Sequence, residues 1–449
     1  MTTIRLRAAA LVVLLALISS ACSGSDPVEE ADGVAADAGS EGASADGEND
    51  GGGTDVADAD ATENVDADGT EAADAGTGTG ECVPSDSNDP IRVGTILSVT
   101  GPIANVGDKM RRGIELAIAQ INAEGGIEGR TIEQVFYDAA GDTATAVEQT
   151  RRLLEQDEVD VIVGGGSSSG VALAMLPITQ EAGVLFMATE GARQIVEPAE
   201  EHALTFKATF NDTVVLERTI EFWQEQGVES VAFLPDTGGF GQSAQEVIEE
   251  LAESAGIALS VESFDPAATD LTPQLSSLSS GTPGAYMAWT TTPAGVVFMN
   301  NANQLGLNDE AFIQHGFGFI DERFFEQAGD AGDGVILTSG PLPIYDQLPA
   351  DDLQKPVIAD FVEAYDEMFN EFPNVFAGQT YDGMQLVAEA ICRAGSTDGE
   401  ALATALEGVT DYVAISGVYN MSSDDHSGLS ADDAHIIEWD GERFSLFEQ

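Results

Sequence analysis

From Ile91 onward the apolar residues of this chain alternate between two spacings. Short apolar runs occupy 91–97, 131–137, 159–163 and 184–188. Between them, 109–123, 143–156 and 169–182 carry apolar residues three and four apart, as at Ile114, Ala117, Ile118 and Ile121. The runs predict strands, and the wider spacing predicts amphipathic helices. Gly125-Gly126 closes the first helix. The stretch 159–163, apolar except at Asp160, reads as a strand covered on both faces. After Asn211 the rhythm restarts, with strands expected at 231–234, 258–264, 285–289 and 311–314. Helices are expected around them at 214–226, 243–255, 271–278 and 294–305. Two more helices follow at 357–369 and 381–394, then a hairpin over 436–447 turning at Asp440-Gly441. Strand–helix alternation implies parallel sheets, and two runs of it imply an α/β protein of two doubly wound parallel-sheet lobes joined by a hinge. Such sheets bind ligands beyond the carboxyl ends of their strands, so facing lobes would form a closing cleft.

The first 89 residues follow another logic. Arg5 and Arg7 precede an apolar run over 8–18, then Ser19-Ser20-Ala21 and Cys22. A positive start, a short apolar stretch and small residues predict a signal peptide over 1–21. A Cys directly after the small residues also matches a bacterial lipoprotein signal, with Ser19 where Leu is usual; Cys22 is the expected lipidation site. Residues 23–81 contain no Lys, Arg, aromatic, Leu or Ile. Such a composition cannot bury enough apolar surface to order itself, so 22–89 is expected as a disordered acidic linker. The expected location is extracytoplasmic, on the outer face of the cell membrane or in the periplasm.

Composition narrows the partners. The chain carries 16 Lys+Arg against 79 Asp+Glu, a net charge of −63. Residues 22–89 hold 20 acids and no bases, which leaves 59 acids and 14 bases in 90–449. Nucleic acid is therefore excluded as a partner. Lys occurs only at 109, 207 and 355, and an acidic surface poor in Lys suits a saline habitat, where self-repulsion is screened. Cys82 and Cys392 form a candidate disulfide outside the cytoplasm, although spacing alone does not give their separation.

The sharpest chemical signal is Gly164-Gly165-Gly166-Ser167-Ser168-Ser169 between a buried strand and a helix. Glycines admit a ligand to the backbone, and a helix N-terminus offers free N–H groups and partial positive charge to a carboxylate. A phosphate loop would need Gly-Lys-Ser or Gly-Lys-Thr, and the dinucleotide spacing is missing. There is no Gly-x-Ser-x-Gly elbow, the four histidines show no motif spacing to the serines, and no Cys/His cluster suggests a metal. A secreted hydrolase using Ser168 is thus the weaker alternative. No enzyme activity, metal or cofactor is expected.

Several motifs together resemble the type I periplasmic binding proteins of the leucine/isoleucine/valine-binding kind. They are Gly101-Pro102-Ile103-Ala104 with Gly107-Asp108, the run from Ile121 to Gly129, Tyr137-Asp138 and the Gly-Ser turn. Phe240-Gly241, Ala328-Gly329-Asp330 before Gly334, and Tyr381-Asp382 complete the set. The resemblance implies one lobe from 90–209 with 339–419 and a second from 210–338 with 420–449. It implies a monomeric, lipid-anchored substrate-binding protein of an ABC importer that presents a small-molecule ligand to a membrane permease. The ligand would carry a carboxylate and be mostly apolar, with a branched-chain amino acid as default. A ligand sensor of the same fold is the alternative, as is a binder of an aromatic or aliphatic acid or amide without an amine. By resemblance Ser167 and Ser168 meet the carboxylate, and Thr189, Glu190 and Ala192 supply backbone contacts from the next turn. Phe240, Thr291 and Phe317 line the cleft, and Val106 lies where an aromatic is common. The amino-acid binders hold the ligand ammonium with an acid near 316–317, where this chain has Gly316-Phe317; either Asp382 is the substitute or the ligand lacks an amine.

Overall fold

A computed structural model describes residues 82–84 and 87–447. The signal segment 1–21, Cys22 and the linker up to residue 81 lie outside the described residues.

The first sheet holds five parallel strands: β1 (Ile91–Leu97), β2 (Ile132–Asp138), β3 (Val161–Gly165), β4 (Leu185–Ala188) and β5 (Thr205–Lys207), in the order β2-β1-β3-β4-β5. Its connecting helices are α1 (Ala104–Ala123), α2 (Thr143–Glu155) and α3 (Ser169–Ala182). Strands β3 and β4 are buried at every residue, because helices cover both faces.

The chain then enters a second sheet through α4 (Asp212–Glu225). Its parallel strands are β6 (Ser230–Pro235), β7 (Ala258–Val261), β8 (Ala285–Trp289), β9 (Phe312–His315) and β10 (Ile336–Ser339). Helices α5 (Gly239–Ala255), α6 (Thr272–Leu278), α7 (Ala294–Gln304) and α8 (Glu322–Ala328) connect them. From β10 the chain returns to the first sheet as α9 (Gln354–Phe369), α10 (Val375–Ala394) and α11 (Gly399–Glu407). A two-stranded ribbon, β11 (Tyr412–Val413) and β12 (Val418–Tyr419), leads back to the second sheet. There the predicted hairpin, β13 (His435–Trp439) and β14 (Phe444–Leu446), adds two antiparallel strands beside β10. The second sheet is therefore mixed at one edge.

The connections between the sheets run side by side. Lys207 N–H donates to the His426 carbonyl at 2.9 Å, Ser427 Oγ to the Thr209 carbonyl at 3.2 Å, and Tyr419 Oη to the Ala208 carbonyl at 3.0 Å. At the other end of the first sheet, Cys82 and Cys392 are joined by a disulfide closing 310 residues, and Val83 N–H donates to the Cys392 carbonyl.

Candidate functional site

Five strands deliver their C-terminal turns to one place. The turns after β3 and β4 face those after β6, β8 and β9 across a small, partly open cavity of about 40 Å³. That is room for a few water molecules at the closest approach of the two halves.

The β3 turn is held open by three successive demands on the backbone. Gly164, Gly166 and Ser167 all have positive φ, 93°, 71° and 71°. For Ser167 this conformation costs on the order of 1 kcal/mol. Its hydroxyl accepts the Ser98 N–H at 3.0 Å, which ties the turn to β1. Its amide donates to Glu190 Oε1 at 2.8 Å. The Ser167 amide is thus committed within the protein, and its hydroxyl already accepts one bond. Ser168 is different: it is the N-cap of α3 without a side-chain cap bond, and its hydroxyl has no partner among the described residues. The amides of Ser168, Ser169 and Gly170, the orphan donors of the first turn, are likewise unpartnered among those residues. Ser169 Oγ accepts the Ala192 N–H at 3.2 Å, pinning the β4 turn to α3.

Glu190 fills part of the space expected for a ligand anion. Its Oε1 accepts the N–H groups of Gly165 (3.1 Å) and Ser167 (2.8 Å), and its Oε2 accepts that of Thr189 (3.0 Å). A Cβ on residue 165 would lie 2.3 Å from Oε2, so only glycine admits this carboxylate. Burial pushes its pKa up to about 7, against the pull of the three N–H bonds. Thr189 Oγ1 is buried beside it, near enough to favour its ionised form but without hydrogen-bond geometry, and remains unpartnered. Below the turn, the buried Lys207 Nζ donates to the carbonyls of Gly191 (3.0 Å) and Ala192 (3.2 Å).

The second sheet supplies an aromatic wall. Phe240 and Phe317 meet edge to face at 5.5 Å, and both pack on Trp289, at 5.2 and 5.7 Å. Thr291 and Gly318 complete that side. Val106 and Met110 of α1 and Phe376 and Gln379 of α10 close the cavity from the first sheet. Outside the cavity lining, Asp321 accepts Asn105 Nδ2 (3.1 Å) and Asn374 Nδ2 (2.9 Å), while Arg193 pairs with Glu250 at 3.2 Å. These bonds join the two halves in a closed form.

The structure brings seven of the expected residues to the cavity: Ser167, Ser168, Thr189, Glu190, Phe240, Thr291 and Phe317. Two lie elsewhere. Ala192 is fully buried under the turn, and Gly191 lines the cavity instead. Asp382 accepts the N–H groups of Ile415 (2.9 Å) and Ser416 (2.8 Å) and serves the ribbon near β12, not the cleft. Sequence reasoning missed Met110, Ser169, Gly318, Phe376 and Gln379. The last two sit in a helix that begins at Val375, six residues earlier than predicted. Asn374 was the available signal, since its side chain caps the Ala377 N–H.

A family model described as periplasmic binding protein matches residues 90–443. A leucine-, isoleucine-, valine-, threonine- and alanine-binding protein of Pseudomonas aeruginosa is 28% identical over 354 residues, covering 78% of this chain and 90% of that protein. Among solved structures, an extracellular ligand-binding receptor from Rhodopseudomonas palustris HaA2 superposes with a TM-score of 0.74 at 24% identity, over 80% of this chain and 99% of the receptor. A solute-binding protein of an ABC transporter from Rhodopseudomonas palustris BisB5, solved with 3,4-dihydroxy benzoic acid, gives 0.69 at 23%, over 80% and 96%.

Proposed function

The chain belongs to the periplasmic binding protein family, and from that premise we propose that it is the lipid-anchored substrate-binding protein of an ABC importer for a small, mostly apolar carboxylate-bearing solute. The family is extracytoplasmic, binds small molecules and works with ABC permeases. Here the solute carboxylate sits on the free amides of Ser168 and Ser169 and on the Ser168 hydroxyl. Its apolar body lies between Val106, Met110 and Phe376 on one side and Phe240 and Phe317 on the other. The observation that carries this reading is that Ser168 and Ser169, whose amides are unpartnered among the described residues, line a cavity walled by Val106, Met110, Phe240, Phe317 and Phe376. The relative from Pseudomonas aeruginosa favours an aliphatic amino acid. The dihydroxybenzoate complex of a structural neighbour is a reminder that the same fold accommodates aromatic acids.

Residues 90–209 with 339–419 form one lobe and 210–338 with 420–449 the other in this proposal, and the solute draws the open–closed equilibrium toward the closed form. No chemical step is assigned to Ser168 or to any carboxylate. Anchoring is by a lipid on Cys22, and the protein acts as a monomer.

Calorimetry with branched-chain and aromatic amino acids and simple carboxylates tests the reading. One-to-one binding of at least one carboxylate is expected. Ser168→Ala should weaken it by about 10-fold, the loss of one hydrogen bond to a charged group. A panel in which no carboxylate gives heat would overturn the assignment.

A further inference from the structure

We propose that Glu190 is the counter-charge for an amine on the solute, so that the first lobe alone recognises both charged ends of an amino acid. The inference rests on the binding site proposed above. Glu190 lines the cavity and is almost wholly buried. Lone-pair counting leaves it incomplete. Oε1 takes two N–H bonds, from Gly165 and Ser167, whereas Oε2 takes one, from Thr189. The spare acceptor capacity lies on Oε2, beside the unpartnered Thr189 hydroxyl. Among the described residues no side-chain cation hydrogen-bonds to it. Lys207 Nζ directs two of its three N–H groups to the carbonyls of Gly191 and Ala192, and its charge is shared among Asp212, Glu197, Asp425 and Glu190. A buried carboxylate without a cation is costly, and an ammonium delivered by the solute offsets that cost.

Both seats belong to one end of the cavity. Ser167 and Ser168 are consecutive and line it together with Glu190, and the Ser167 amide holds Oε1, the other oxygen of the same carboxylate. An α-amino acid holds its ammonium and carboxylate on one carbon, so it spans the two seats. The rings of Phe240 and Phe317 come down on Gly191, next to Glu190, and put apolar surface beside the pair. A solute with a carboxylate but no amine would instead place two like charges side by side and force a proton onto Glu190. The charged groups on the surrounding elements are Lys207 on β5, Asp212 at the start of α4, Glu197 before β5, Asp382 on α10, and Lys109 on α1, which is paired with Glu371.

The experiment compares L-leucine with isocaproate and L-phenylalanine with phenylpropanoate, each pair differing by the amine. At pH 7.5 the wild type should bind the better amino acid about 10- to 100-fold more tightly than its deaminated analogue, the worth of a charge-assisted bond. Glu190→Gln should remove that preference. A second measurement needs no variant: because Glu190 holds its proton to about pH 7, titration near pH 6 in buffers of different ionisation enthalpy should show proton release with the amino acid. Equal or tighter binding of the deaminated analogue, with proton uptake, would overturn the role of Glu190 and leave the carboxylate seat standing. Absence of heat from both members of both pairs would bring down the seat and the counter-charge together.

Discussion

At residue 191 a hydrogen atom decides whether the two halves can meet. A methyl group there would lie 2.4 Å from Phe317 Cζ and 2.9 Å from Phe240 Cε2. Gly191→Ala should therefore hold the cleft ajar, lowering solute affinity by about 10-fold or more through a smaller closed population, while the melting temperature changes little. Calorimetry beside a thermal melt checks this; undiminished affinity would mean that the rings do not bear on the turn in the bound form. Several cavity residues were legible before any coordinates. The Gly-Ser turn announces itself through its glycines and its place after a buried strand, and Phe240 through the motif around it. Which serine is free was not legible. Ser167 and Ser168 are alike in sequence, and only the positive φ of Ser167, with its bonds to Ser98 and Glu190, separates a structural serine from an available one. Glu190 was read as a backbone contact because nothing in a linear chain shows a side chain folding back onto the amides of another turn.

Among the elements, α10 shows why local pattern fails where packing is dense. Sixteen of its 20 residues are buried, so polar groups such as Gln379, Thr380 and Asp382 stand in the interior without breaking a visible stripe. Asp382, expected in the cleft, holds the 415–416 backbone instead. Burial raises its pKa to about 7, well above the ordinary Asp value near 4. Between those values the native state keeps a proton that the unfolded chain releases. Its contribution to stability is complete below about pH 4 and is lost as pH rises toward 7, by up to about 1.4 kcal/mol per pH unit. Asp382→Asn should flatten that decline relative to wild type when urea unfolding is followed at pH 5, 6 and 7; an unchanged slope would show that the native carboxyl is ionised throughout. Short strands escaped the sequence for a related reason. β5, with three residues, and β10, with four, draw their stability from neighbours on the sheet rather than from their own periodicity.

For the whole molecule, the acidic N-terminal segment and the folded part answer different questions. Residues 23–81 lack the apolar side chains of a core, and Cys22 follows a lipoprotein-like signal. The proposed anchor predicts that Cys22→Ala shifts the protein from the membrane fraction to the soluble or secreted fraction. Fractionation with immunodetection reads the outcome, and retention in the membrane by the variant would exclude the lipid. The amino-acid sequence alone determined the α/β class, the doubling of the strand–helix rhythm, the net charge and the place of the Gly-Ser turn between strand and helix, because each is carried by residues adjacent in the chain. The return of α9, α10 and α11 to the first sheet, the antiparallel hairpin beside β10 and the meeting of five turns around one cavity were decided by tertiary structure. So was the fate of two acids: Glu190 reaches the cleft and Asp382 leaves it, since a carboxylate goes where backbone amides from distant segments converge, and that convergence exists only after folding.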